Sequence, residues 1–218
     1  MASNDRYWVA GTEYWNSSGT SGSITKWATS APTQVTVTTS PNSTSITISP
    51  STTLSVGTQI VTYDGVFVGT IASGSGTSYT LNAAWATVGF TKLCSCAASA
   101  SLTTSVPTAS DNVYFTLNAT YTVYMSGNLY CLDFTITNTS SPGLTIASSG
   151  TNALYISGSM SVVAGTTWSN SYGVYFKATT TGKTITTNGV TIGGSIALGD
   201  TTNTGGGWTL GSALTCTG

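Results

Sequence analysis

The sequence predicts an all-β protein, and three observations lead to this class. Charged residues make up only 5% of the 218 residues, against about 25% in an average soluble protein, while hydrophobic residues make up 39%. Aromatic residues are plentiful, with 11 Tyr, 6 Trp and 5 Phe, so the chain can bury a core and is not disordered. Thr, Val, Ile, Tyr and Trp suit a pleated sheet, and no stretch shows the apolar spacing of an amphipathic helix.

Residues 33–93 predict a compact β unit of their own, a small barrel or sandwich. Short alternating segments are separated by Ser, Asn, Gly and Pro clusters, which are typical of the turns between strands. The dipeptide Asp64-Gly65 is typical of a hairpin turn between two of these segments. In chain order the segments are Val35–Val37, Ser45–Ile48, Thr58–Tyr63, Val66–Ile71 and Ser78–Leu81.

From about residue 105 the sequence predicts a stack of similar coils. Apolar segments centred on Leu129, Leu154, Val174 and Ile196 recur about every 20 to 25 residues, which suits a β-solenoid whose coils bury their apolar faces against each other. The repeat is imperfect, so a β-sandwich with long strands stays an alternative. The predicted strands are Asn112–Phe115, Tyr121–Met125, Leu132–Ile136 and Gly143–Ile146.

The predicted organisation is therefore a main β domain of residues 1–32 and 94–218 with an inserted module at 33–93. A solenoid must cover the open ends of its core. Large aromatic side chains cover such a core well, so Trp8, Trp15 and Trp27 are expected to form a cap.

Two motifs resemble a group of Thr/Ser/Gly-rich proteins of tailed phages. Arg6-Tyr7-Trp8-Val9-Ala10-Gly11, with Trp15 and Lys26-Trp27-Ala28 after it, is similar to the opening of that group. Val106 to Phe115 reads Val-Pro-Thr-Ala-Ser-Asp-Asn-Val-Tyr-Phe and is similar to its second motif, while Thr181 to Gly189 looks like its solenoid rungs. The resemblance covers about 1–32 and 104–218 and implies a virion surface protein, assembled in the host cytoplasm.

Residues that carry out chemistry are scarce. The chain has no His, so His-activated nucleophiles are excluded and the commonest metal ligand is missing. Its 6 acidic residues leave room for an acid-pair glycosidase, yet most have a plain turn or strand-end role; Asp133, between Leu132 and Phe134, stands out because it should face away from them. The acidic residues are Asp5, Glu13, Asp64, Asp111, Asp133 and Asp200. The expectation is no enzyme, no catalytic, metal or cofactor-binding residues, and no cofactor.

The cysteines, the charges and the first residues bear on the redox state of the thiols, the partners and the export of the chain. Cys94, Cys96, Cys131 and Cys216 are interpreted as buried strand residues, with disulfides formed after lysis as an alternative and a metal site as a remote one. The net charge is -1 and the 5 basic residues are scattered, so neither nucleic acid nor a membrane surface is expected as a partner. The first six residues contain no apolar run and predict no signal peptide.

The function expected from these observations is that of a phage virion structural protein. The first expectation is a capsid cement or decoration protein that binds the major capsid protein or other virion proteins, as a homo-oligomer. The alternative is a tail fibre, spike or receptor-binding adsorption subunit, for which a host surface glycan is a possible partner. A less favoured alternative is a subunit of an extracellular filament.

Overall fold

The computed structural model describes residues 4–16, 18–85, 88–148, 153–169, 171, 173–199 and 205–217. Its described residues form an all-β protein in which β-solenoid-like coils are joined to a small closed barrel. The prediction of the fold class is confirmed. Of the two architectures that the sequence left open for the main domain, the solenoid is the one observed.

One face of the solenoid is a sheet of parallel strands. Side chains alternate between the core and the outside along these strands, so that Val113 and Phe115 are fully buried. Successive strands pair in register, for example Phe134 with Met160 and Met160 with Ile185. The strands are β1 (Asn4–Trp8), β13 (Asp111–Phe115), β16 (Phe134–Ile136), β19 (Met160–Ser161), β22 (Lys183–Thr186) and β25 (Trp208–Leu210).

Each coil also has a second and a third face. On the third face, Leu129, Leu154, Val174 and Ile196 stack directly on one another, which confirms the repeat that the sequence predicts. The strands of the second face are β2 (Glu13–Trp15), β14 (Tyr121–Met125), β17 (Leu144–Ser148) and β20 (Thr167–Trp168), followed by the pair β23 (Thr191–Ile192) and β26 (Thr215–Cys216). Those of the third are β15 (Leu129–Cys131), β18 (Leu154–Ile156), β21 (Val174–Phe176) and β24 (Ile196–Leu198).

One predicted strand is shortened by a corner of the solenoid. The sequence predicts a strand over Leu132–Ile136, but the observed strand β16 begins only at Phe134, after β15 has ended at Cys131. Leu132 and Asp133 lie in the turn between the third face and the first face of the next coil. In the sequence, Leu132, Phe134 and Ile136 alternate with polar residues as they would in one strand, which is why the pattern does not reveal the corner.

The inserted unit is a closed six-stranded barrel with its own apolar core. Gly65 takes a φ of 86° in the turn between its third and fourth strands, as the Asp64-Gly65 dipeptide predicts. The closing strand runs to Ala97, whereas the sequence placed the end of the unit at residue 93. The strands are β6 (Thr33–Thr39), β7 (Ser43–Ser49), β8 (Gln59–Thr62), β9 (Phe67–Ser75), β10 (Ser78–Trp85) and β11 (Thr91–Ala97).

The first coil of the solenoid is closed by aromatic side chains and short strands. Trp8, Trp15 and Trp27 are buried and pack edge-to-face, with ring centroids 4.9 and 5.5 Å apart, and all contact Phe115. The cap expected from these tryptophans is thus present at this end of the core. The short elements around it are β3 (Thr20–Ser21), β4 (Ile24–Thr25), β5 (Trp27–Ala28), a 3₁₀ turn (Ser99–Ser101) and β12 (Leu102–Thr103).

Two glutamines fix the barrel onto the solenoid. Gln34 Nε2 donates to Thr116 O at 3.0 Å, and its Oε1 accepts from Tyr63 Oη at 2.6 Å and from Asn118 N at 2.8 Å. Gln59 exchanges two hydrogen bonds with the backbone of Thr25, at 2.7 and 2.8 Å. Because these bonds span long stretches of chain, they hold the two parts in one orientation.

Candidate functional site

The carboxylates that sequence reasoning singled out on the solenoid hold the turns of its coils. Asp111 accepts from Thr108 N and Oγ1 at 2.8 and 2.7 Å and pairs with Arg6 at 3.4 Å. Asp133 Oδ1 accepts from Ser159 N, in the next coil, at 2.6 Å. Gly158 is required beside it, since a Cβ there would collide with Asp133 Oδ1 and with Leu132 O. The structure therefore gives Asp133 a coil-linking contact at the corner.

The other described acidic residues each have a hydrogen-bond or ion-pair partner of their own. Asp5 accepts from Asn112 Nδ2 at 3.0 Å, and Glu13 accepts from Tyr14 N at 2.7 Å. Asp64 forms a 2.6 Å ion pair with Lys92 on the barrel, which holds the pKa of Asp64 below its usual range against the opposing effect of desolvation. Asp200 lies outside the described residues. Within the described ranges no three His, Cys, Asp or Glu side chains gather in a way that would hold a metal ion.

Three of the four cysteines are buried, as the sequence analysis expected. Cys94 and Cys96 lie in the barrel core, and Cys131 lies in the solenoid core. Burial raises the pKa of all three thiols, that of Cys96 to about 12. Thiols of this kind are poor nucleophiles and poor metal ligands, because the reactive form is the thiolate. The prediction of burial is wrong for Cys216, which lies exposed on β26, a strand that among the described strands pairs with β23 alone.

The barrel carries an apolar groove with a volume of about 460 Å³. Trp85 and Phe90 line it, with their rings edge-to-face at 5.1 Å, and the Trp85 indole donates to Val88 O at 3.0 Å. Val88 is 83% exposed beside it. Lys92 lies at the rim, paired with Asp64. An exposed apolar surface bordered by one ion pair is typical of a protein contact.

A row of stacked tyrosines follows the outer side of the third solenoid face. Tyr130, Tyr155 and Tyr175 pair in register, with ring centroids 5.0 and 5.2 Å apart and planes 12° and 23° from parallel. Lys177 Nζ lies 6.0 and 5.8 Å from the second and third ring centres. Gly173 leaves room for the last ring, since a Cβ there would lie 2.5 Å from Tyr175 Cε2.

This tyrosine row has a restricted chemistry for ligands. Because the rings stack on one another, the row presents mainly ring edges and hydroxyl groups, together with the Lys177 ammonium. Tyr130 is 43% exposed and lies on β15, the edge strand of its sheet. This row was not predicted from the sequence, although Tyr130, Tyr155 and Tyr175 each come one position after a residue of the apolar repeat.

Comparisons with known proteins return no family model, no curated protein and no solved structure that matches this chain. Among the described residues, no helix has the length and apolar character needed to cross a membrane. The fold and the two surface features above are therefore the basis for a functional assignment.

Proposed function

We propose that this chain is a structural protein of a phage particle, bound to the outside of the capsid as a cement or decoration protein. The barrel groove is the observation that carries the proposal. It places Trp85, Phe90 and Val88 at an exposed position of a barrel whose orientation is held by Gln34 and Gln59. Aromatic residues anchor many protein interfaces, and charged residues are depleted at their centres.

The proposed mechanism relies on buried area and on repetition. The groove would receive an apolar side chain of the major capsid protein, and the rigid solenoid would extend across the neighbouring capsomer. A standard interface buries about 1,600 Å² in total, and many copies on one shell would add their effects against internal pressure. A homo-oligomer of the chain would bridge more than one seam.

A binding assay with purified, undecorated shells tests this proposal. Val88→Asp places a charge beside the groove without touching either core and should weaken binding to shells at least 10-fold, since an unpaired charge would be buried. Val56→Asp is the matched control, because Val56 is also exposed on the barrel, at 69%, but does not line the groove. Equal binding by both variants and the unaltered protein would refute groove docking.

The number of copies per particle separates the proposal from its main alternative. Quantitative mass spectrometry of purified virions, with the major shell protein as the reference, should give hundreds of copies for a decoration protein. A few to a few dozen copies would favour a tail fibre, spike or adsorption subunit. Absence from virions would contradict both assignments and leave an extracellular filament subunit as the next hypothesis.

The tyrosine row favours adsorption as the second candidate function. Tyr130 offers an exposed ring, and the hydroxyl groups and Lys177 offer polar contacts, which together suit a host surface glycan. Binding of the unaltered protein to host cells or their glycans, with loss of binding in Tyr130→Ser, would support this role. Unchanged binding in Tyr130→Ser would exclude the row as the glycan site.

The proposal includes no catalytic role for the chain. The contacts of Asp111 and Asp133 within the solenoid support this view, because each carboxylate is occupied by hydrogen bonds that hold a turn. If the chain cleaved surface polysaccharides, Asp133→Ala would abolish that cleavage. We expect no polysaccharide cleavage by the unaltered protein, and a measured activity lost in Asp133→Ala would refute this part of the proposal.

A further inference from the structure

Lys26 is the most deeply buried basic residue at the capped end of the solenoid. Only 2% of its surface is exposed, and it precedes the fully buried Trp27. Its backbone is held on both sides, since Lys26 N donates to Gly19 O at 2.9 Å and Lys26 O accepts from Val9 N at 3.0 Å. The two backbone bonds hold the segment between β4 and β5 in place, and the Lys26 side chain is buried in the cap.

The Lys26 amine meets an amide side chain in this position. Nζ donates to Asn16 Oδ1 at 3.2 Å and to the backbone oxygen of Tyr14 at 2.8 Å. The contact places the amine beside the oxygen that is bonded to Asn16 Cγ, and Ser18 N also donates to that oxygen, at 2.9 Å, which polarises the amide. The bond to Tyr14 O fixes the direction of the amine.

The surroundings favour the neutral, nucleophilic form of the amine. Desolvation lowers the pKa of Lys26, while the charge of Glu13, two residues before Trp15, opposes that shift. A desolvated lysine is a stronger nucleophile at neutral pH than an exposed one. Glu13 comes directly before Tyr14, whose backbone oxygen accepts from the amine, so its carboxylate lies on the same strand as this contact and is the proton acceptor we assign to the step.

We propose that Lys26 and Asn16 form an intramolecular isopeptide bond. The lone pair of the neutral Nζ attacks Asn16 Cγ, and a new C–N bond forms. The Cγ–Nδ2 bond then breaks, and Nδ2 leaves as ammonia after receiving the proton that Nζ gives up, with Glu13 carrying this proton. No oxidant or cofactor is needed, since the reaction exchanges one amide for another.

The cross-link would fasten the cap of the solenoid. It would join the end of β2 to the segment between β4 and β5 and close a loop across a separation of 10 residues. Closing a loop covalently lowers the entropy of the unfolded chain, so the cap would resist unfolding even when its hydrogen bonds open. Such a clamp would suit a protein that bears mechanical load, but the inference does not depend on the proposed function.

The intact mass of the purified full chain tests the proposal directly. The expected mass is lower than the sequence mass by one ammonia, about 17 Da, and a digest should contain a branched peptide that joins Lys26 to Asn16. A mass equal to that of the sequence, after prolonged incubation of the folded protein at neutral pH, would overturn the proposal. This measurement needs no variant and so does not depend on whether a variant folds.

Two variants separate the cross-link from other losses of ammonia. Lys26→Arg keeps the positive charge but removes the primary amine, so the mass loss should disappear; a loss that persists would come from cyclisation of Asn16 on its own backbone and would overturn the proposal. Lys177→Arg is the matched control and should keep the mass loss.

Glu13→Gln should slow formation of the cross-link at least 10-fold in a time course of intact mass, and an unchanged rate would remove Glu13 from the reaction.

Discussion

The buried thiol of Cys131 leads to a quantitative prediction for alkaline pH. Its folded pKa is raised by complete burial, whereas the ordinary pKa of a thiol is 9.0. Below pH 9 the thiol is protonated in both states, so its contribution to stability is fully present. Above pH 9 the unfolded state releases the proton and the folded state keeps it, so stability falls as pH rises toward the folded pKa.

The size of the expected loss of stability follows from the ordinary thiol pKa in the unfolded chain, because the folded thiol stays protonated. Between pH 8 and pH 10, one thiol that ionises only in the unfolded state costs about 1.4 kcal/mol. The measurement is the free energy of unfolding from urea titrations at both pH values, under reducing conditions. Cys131→Ala removes this titration, so its loss of stability between pH 8 and pH 10 should be smaller than that of the unaltered protein by about 1.4 kcal/mol.

A neighbouring variant controls for the loss of packing. Ile156 pairs with Cys131 across the third face, and Ile156→Val removes one methyl group without removing a titrating group. Its free energy of unfolding should differ from that of the unaltered protein by the same amount at both pH values. The reasoning is refuted if Cys131→Ala behaves in the same way, because the thiol would then ionise equally in the folded protein.

Three further predictions concern stability. Phe115→Ala should lower the free energy of unfolding by about 3 to 5 kcal/mol in urea titrations, because it empties the space between the cap and the solenoid core, whereas Leu210→Ala, at an exposed position, should change it by under about 1 kcal/mol. Gln59→Ala should cost about 1 to 3 kcal/mol, because it leaves the Thr25 backbone without its partners; a change below 0.5 kcal/mol would mean that this junction does not stabilise the fold. Tyr155→Ala breaks two ring stacks and Tyr130→Ala only one, so the first should lower the thermal midpoint more. The reverse order would refute a stabilising role of the tyrosine row.

The positions where sequence and structure differ have specific physical causes. Leu132–Ile136 looked like a single strand because its apolar residues alternate with polar ones, although the chain turns a corner at Leu132 and Asp133 and the strand begins only at Phe134. The barrel closes with β11, whose pairing with β6 and β8 extends to Cys96 and Ala97. Because those contacts are made by strands distant in the chain, local patterns do not show where the barrel ends.

The sequence by itself determined the fold class, and it favoured a stack of coils with a covered first coil over the alternative β-sandwich. These follow from local features: β-branched and aromatic residues between turn residues, an apolar segment every 20 to 25 residues, and large tryptophans before the first predicted coil. Each can be recognised without knowing which parts of the chain meet.

The tertiary structure alone decided the details that bear on function. Only folding brings Val66 beside Trp85 and Phe90 on the barrel surface. Folding also joins Asp133 to Ser159 of the next coil and buries Lys26 against Asn16. Each of these arrangements depends on the position at which a turn or strand meets another part of the chain. That position is determined by packing throughout the molecule, and the residue types in one segment do not specify it.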